Sequence, residues 1–201
     1  MQLTTALLSV FAAAAAAAPA TEGASCTPPP RRFGIMALRS ASPIHFGEII
    51  ASENKMALGL AESEINAQCA DGAAKKEATF YIRDGELFLY TPNDTVQQFF
   101  TDRSGMGQGV IQYVTYKKGE TPNFGARSET KGWVVDENDN LTFNGNSLQA
   151  CPWDPATPNA TKWYIWMSGV EKPAGQEGCL GFNARTVTTA KPVQCTYSQR
   201  V

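Results

Sequence analysis

The sequence predicts an all-β protein with one principal domain, and three observations carry that reading. From Phe33 onward, apolar residues come in short bursts of about five to eight, rich in Phe, Tyr, Val and Ile and separated by Gly, Pro, Asn and Asp. An Asp84-Gly85 pair sits between two alternating segments, the strongest short-range sign of a hairpin. No stretch sustains helical periodicity for three turns. Residues 57–78 come closest, but their polar side chains do not gather on one face, so at most a single helical turn is expected there.

Residues 1–20 run through Leu7, Leu8, Val10 and Phe11 into unbroken alanine and carry no charge. Such a stretch is too short and too weakly apolar for a membrane span, and small residues at Ala18 and Ala20 suit a signal peptidase. It is expected to be an export leader cut near Ala20-Thr21, although the usual basic residue at its start is missing. Residues 21–32 form a linker in which Pro28-Pro29-Pro30 prevents regular structure, and Arg31-Arg32 is a candidate dibasic processing site. Residues 33–201 form the expected β-domain.

Within it, residues 33–38, 48–51 and 55–60 read as strands, followed by the hairpin around Asp84-Gly85. A two-residue turn there pairs Arg83 with Glu86, Ile82 with Leu87, Tyr81 with Phe88 and Phe80 with Leu89. Phe80, Ile82, Leu87 and Leu89 then face the core, and Arg83 and Glu86 are expected to form a cross-strand ion pair. Residues 133–143 repeat the pattern around an acidic turn, with Trp133, Val135, Leu141 and Phe143 inward. Each hairpin is followed by an aromatic strand (97–101; 163–167), then a glycine-rich loop and a further strand (110–116; 180–187). The offset of about fifty residues, with 33–60 as a divergent third copy, predicts a β-trefoil-like fold; a two-sheet β-sandwich is the alternative.

Charge and cysteine usage point outward from the cell. With 17 basic and 19 acidic residues scattered along the chain, nothing favours nucleic acid or an anionic membrane as partner. The stretch 195–201 is polar, so release without a lipid anchor is expected. Cys26, Cys69, Cys151, Cys179 and Cys195 are widely spaced and lack close pairs, which fits disulfides better than a metal. Five is odd, so one cysteine is left for a buried thiol or for an intermolecular disulfide. Asn93-Asp-Thr95, Asn140-Leu-Thr142 and Asn159-Ala-Thr161 are N-glycosylation sequons, each in or beside a turn.

Signs of chemistry are few. Gly105-Met-Gly107-Gln-Gly109 lacks the Lys-[ST] and the helix of a phosphate loop and reads as a hairpin loop. Asp136-Glu-Asn138-Asp-Asn140 imitates the start of a calcium loop, but Leu141 stands where glycine is required and Ser147 where the bidentate glutamate should be. His45, in Ser42-Pro-Ile-His-Phe46, is the sole histidine and is expected to be structural. No catalytic residue, cofactor or metal is assigned. The one site-like feature is aromatic: Trp153, Trp163 and Trp166, with Tyr164, lie close together in sequence. Alternation turns one pair of the strand outward, where tryptophans stack on sugar rings.

Longer strings carry a family resemblance. Met36-Ala-Leu-Arg-Ser-Ala-Ser-Pro-Ile-His-Phe46, Asp102-Arg-Ser-Gly-Met-Gly-Gln-Gly109, Pro173-Ala-Gly-Gln-Glu-Gly-Cys-Leu-Gly-Phe182 and Pro192-Val-Gln-Cys-Thr-Tyr-Ser-Gln199, in that order, resemble the PhiA family. So do Phe80-Tyr-Ile-Arg-Asp84, Leu141-Thr-Phe-Asn-Gly145 and Ala150-Cys-Pro152. The resemblance implies a secreted cell-wall protein of filamentous fungi, associated with phialides and conidia and without catalytic residues. It implies wall polysaccharide or other wall proteins as partners, and a protective role under stress. Two other readings stand beside it: a lectin-like module using the tryptophans, and a small secreted hydrolase built on two carboxylates or a His45 dyad.

Overall fold

The computed structural model describes residues 29–72, 77–154 and 159–200. The leader and most of the linker, including Cys26, lie outside the described residues. Fifteen strands and two short 3-10 turns are found among those described. In chain order the strands are β1 (Phe33–Leu38), β2 (Ile49–Ser52), β3 (Lys55–Leu58), β4 (Ala67–Cys69), β5 (Phe80–Arg83), β6 (Glu86–Leu89), β7 (Thr95–Asp102) and β8 (Val110–Lys117). There follow β9 (Ser128–Glu129), β10 (Trp133–Val135), β11 (Asn140–Phe143), β12 (Leu148–Pro152), β13 (Trp163–Met167), β14 (Leu180–Thr188) and β15 (Cys195–Tyr197). The all-β expectation holds. The segment closest to helix contributes only the turn Glu62–Glu64. No helix among the described residues is long and apolar enough to cross a membrane.

Local turn chemistry sets the hairpins. Asp84 and Gly85 take φ of 54° and 76°, the left-handed pair that a two-residue turn demands, and glycine meets it without a steric penalty. The β5–β6 register is Arg83 with Glu86 through Phe80 with Leu89, as the turn type requires. The expected Arg83–Glu86 ion pair does not form. Arg83 lies over the Phe88 ring at 4.9 Å, and Glu86 accepts a hydrogen bond from the Thr130 hydroxyl at 3.0 Å. For an exposed pair worth only tenths of a kcal/mol, either competitor suffices. In β10–β11, Trp133 opposes Phe143 and Val135 opposes Leu141, with Trp133, Leu141 and Phe143 buried. The acidic turn between them is closed by Asp136, whose Oδ1 accepts the N–H groups of Asn138 and Asn140.

Non-local pairing joins these units into one large sheet. β1 runs antiparallel to β14 over six residue pairs, from Phe33 with Thr188 to Leu38 with Asn183, bringing the two ends of the domain together. β7 and β8 form the longest hairpin, Thr95 opposite Lys117 through Asp102 opposite Val110. The path continues through β3 and β13 to β12 and β14. Four joints, β1–β5, β6–β7, β3–β8 and β8–β13, have single-pair registers, Phe33 with Phe80, Phe88 with Gln98, Lys55 with Gln112 and Trp166 with Val110, so the pairings do not discriminate trefoil from sandwich. β12, which pairs with both β13 and β14, is absent from the expected second copy. Strands β4, β9 and β15 are likewise additions to the expected set.

The core is aromatic and continuous, with Phe33, Phe80, Phe99, Tyr113, Trp133 and Phe143 fully or nearly fully buried. One polar side chain at its edge organises the C-terminal strand. Gln97 is fully buried; its Nε2 donates to the Tyr197 carbonyl at 2.8 Å and its Oε1 accepts the Tyr197 N–H at 2.9 Å. The amide thus bonds Tyr197 as a neighbouring strand's peptide group would. Tyr113 donates its hydroxyl to the Ser198 carbonyl, and Asn54 Oδ1 accepts the Arg200 N–H. Together with the β4–β15 pairing, these contacts seat residues 195–200 on the sheet.

Candidate functional site

Four of the five cysteines pair. Cys69–Cys195 joins β4 to β15 across a sequence separation of 126, and Cys151–Cys179 joins β12 to the segment before β14 across 28. The two bridges hold both flanks of the β12–β14 region and the C-terminal strand. Cys26, outside the described residues, is the cysteine that remains.

The aromatic cluster divides by burial. Trp163 and Trp166 are only 5% and 6% exposed, whereas Trp153 is 36% exposed. Every side chain of β13 is buried, on both faces, and Trp153 folds back over its Tyr164. The Trp153 ring lies 4.0 Å from Tyr164, centroid to centroid, at 31°. Lys55 Nζ, from β3, sits 4.1 Å from the Tyr164 centroid. Burial, then the Arg200 charge, pushes the Lys55 pKa down, while burial pushes that of Tyr164 up. The result is a platform of one exposed indole backed by a tyrosine and a cation, beside a depression lined by Asp154, Ala160, Thr161 and Lys162. Lys162 is anchored there by an ion pair with Glu64, which holds the Glu64 carboxyl below its usual range. Sequence reasoning missed Tyr164's partner Lys55, which is remote in sequence and carries no signal of the contact.

The sequons differ in presentation. Asn93 is exposed on the turn before β7, and Asn159 is exposed with φ of 57°. Asn140 is half-buried at the start of β11, opposite Arg185, and its Oδ1 is enclosed without a hydrogen-bond partner.

His45 serves its own loop. Its Nδ1 accepts the Arg39 N–H at 3.1 Å and its ring packs on Phe46 at 3.8 Å; Ser42 donates its hydroxyl to the Arg39 carbonyl at 2.8 Å instead of to the imidazole. The glycine-rich loop is equally self-contained. Asp102 Oδ1 accepts the Ser104 N–H at 2.8 Å and Ser104 Oγ accepts the Gly107 N–H at 3.0 Å, so its polar groups close the β7–β8 connection. Among the described residues no group of three or more His, Cys, Asp or Glu side chains is placed to hold a metal ion.

Comparison with known proteins decides the family. The family model described as PhiA-like secreted protein matches residues 33–198. The chain belongs to the PhiA-like secreted proteins. It is 42% identical to the cell wall protein phiA of Emericella nidulans over 200 residues, covering 98% of this chain and 100% of the relative. The corresponding protein of Aspergillus fumigatus is 39% identical over 94% of this chain and 97% of its own length. That of Aspergillus niger is 39% identical over 94% and 96%. No solved structure matches the chain. Membership makes this PhiA-like chain a secreted protein of the cell wall, as the resemblance implied.

Proposed function

We propose that this chain is a non-enzymatic structural glycoprotein of the fungal wall that serves phialide and conidium formation, with a protective role under stress. The observation that carries the reading is the near full-length match to relatives named as cell wall proteins. The structure supports it with a doubly disulfide-bonded sheet whose histidine and acidic turns are committed to local hydrogen bonds. The mature protein starts near Thr21 once residues 1–20 are removed, and glycans are carried at Asn93 and Asn159, with the half-buried Asn140 the least accessible acceptor. Cys26 tethers the chain to another wall molecule through an intermolecular disulfide. Deleting the protein should lower conidium number and weaken the wall; normal conidia with unchanged wall composition would refute the developmental role. Cys26→Ser should release the protein from wall fractions in detergent alone, whereas the unsubstituted protein should also need reductant.

A second reading is favoured by Trp153, the exposed member of the tryptophan cluster. An indole backed by Tyr164 and Lys55 is a stacking surface for a neutral sugar ring. Retention on chitin or β-glucan that falls with Trp153→Ala supports it; no retention on either polymer removes it.

A further inference from the structure

A basic groove lies away from the Trp153 platform. It is lined by Arg32, Tyr81, Arg83, Tyr90, Asn93 and Lys118, with Thr91, Pro92 and Gln194 along its wall. The Arg32 guanidinium is clamped between two rings, 4.3 Å from the Tyr81 centroid and 4.7 Å from that of Tyr90. Such stacking fixes the plane of the guanidinium and, with Nε enclosed, leaves only its Nη edge to an oxyanion. Only its Nη1 has a hydrogen-bond acceptor among the described residues, the Pro30 carbonyl at 2.6 Å, and Nε is enclosed with no acceptor. Arg83 rests on Phe88. Lys118 is placed by its backbone N–H bond to the Asp94 carbonyl at 3.1 Å.

The groove contains three cations and no carboxylate in a chain whose acidic residues outnumber its basic ones. Two carboxylates flank it: Glu86, opposite Arg83 in the β5–β6 register, accepts from Thr130, and Asp94 accepts from the hydroxyl of the lining residue Thr95 at 3.4 Å. Three like charges are self-repulsive, and an arrangement with one guanidinium held flat by two tyrosines is suited to a ligand that neutralises it. The wall presents the Thr91 and Thr95 hydroxyls and the Gln194 amide to the hydroxyls of a sugar chain, beside apolar Pro92 and Val96; Asn93, where a glycan is carried, is not a ligand contact.

We propose that this groove binds an oxyanion carried on a glycan, a phosphate or carboxylate group of an acidic polysaccharide, with Arg32 as the central donor and Arg83 and Lys118 flanking it. The wall reading supplies only the choice of polymer. Beside Arg32, Arg31 donates to Thr188 at 2.9 Å and pairs with Asp139 at 3.1 Å.

The test is affinity electrophoresis of the secreted, disulfide-bonded protein through gels containing phosphorylated mannan, polygalacturonate or neutral mannan. Retardation by one or both acidic polymers and not by neutral mannan is expected, and the two acidic gels separate phosphate from carboxylate as the preferred group. Arg83→Gln with Lys118→Gln, both exposed in the free protein, should weaken retardation by about tenfold or more. The charge-matched control Arg127→Gln with Lys191→Gln should leave it within about twofold. Arg32→Lys keeps the charge but loses the planar fork and should also weaken it, with an unchanged melting temperature showing that the fold is intact. Three results overturn the proposal: no retardation by either acidic polymer at low salt, equal loss in the control, or equal retardation by a single-stranded oligonucleotide that is insensitive to the groove substitutions. None of these bears on the deletion phenotype, so the groove and the wall reading fail separately.

Discussion

The two disulfides differ most in the length of chain they close, and that difference makes a quantitative prediction. Restricting the unfolded chain costs it loop entropy that grows with the logarithm of the closed length. For Cys69–Cys195, with a separation of 126, the chain-entropy expression gives about 5 kcal/mol at 25 °C. For Cys151–Cys179, with a separation of 28, it gives about 3.6 kcal/mol. The four sulfurs sit in comparable half-buried to buried surroundings, so the cost of the cavities left by truncation should largely cancel between the pairs. The assay is urea unfolding followed by tryptophan fluorescence, with Cys26→Ser in every variant so that thiol exchange cannot reshuffle the bridges. The pair Cys69→Ala/Cys195→Ala should lower stability by about 1.3 kcal/mol more than Cys151→Ala/Cys179→Ala, compared at similar m-values. Equal losses, or the reverse order, would refute the entropic account and place the stabilisation in the folded state.

Three further outcomes are expected. Gly59→Ala would set a Cβ 1.8 Å from the Thr161 carbonyl oxygen at a φ of 76°, and should cost more than about 3 kcal/mol, whereas Gly145→Ala, at φ 74° in open space, should cost about 1–2 kcal/mol; parallel urea curves check both. Gln97→Leu fills the same space but strips the Tyr197 N–H and carbonyl of their partners, which should cost about 2–4 kcal/mol and expose the Tyr197 amide to hydrogen exchange; a loss below about 0.5 kcal/mol would contradict the role given to that amide. Burial raises the Tyr197 pKa from 10.0 to about 12, so above about pH 10 the unfolded chain releases a proton that the folded chain keeps. The stability this group contributes is complete below about pH 10 and declines by about 3 kcal/mol as pH rises to about 12; Tyr197→Phe should make that part of the pH profile less steep, the buried Tyr113 and Tyr164, also raised, keeping the remainder.

Much of the framework was readable from local chemistry. Asp84-Gly85 set the register of β5–β6 to the residue, because a two-residue turn leaves no freedom in the pairing beyond it. Trp133, Leu141 and Phe143 could be assigned inward by alternation alone. The apparent repeat misled at β12, whose residues Leu148–Pro152 fall outside the expected copies yet are pinned between β13 and β14. The candidate site was legible as a cluster but not as a surface. Trp153, Trp163 and Trp166 look equivalent in sequence, and the pleat turns adjacent side chains to opposite faces without indicating whether the second face is covered.

By itself, then, the sequence determined the class of secondary structure, the register of the β5–β6 hairpin, the secretory character and the family. Each of these depends on residues near one another in the chain or on the order of motifs along it. The tertiary structure decided which cysteines meet, that Trp153 alone of its cluster reaches solvent, and that Arg32, held between Tyr81 and Tyr90, lines one groove with Arg83 and Lys118. These depend on strands distant in sequence being brought side by side. Cooperative burial of the whole core selects that arrangement, and no local propensity encodes it.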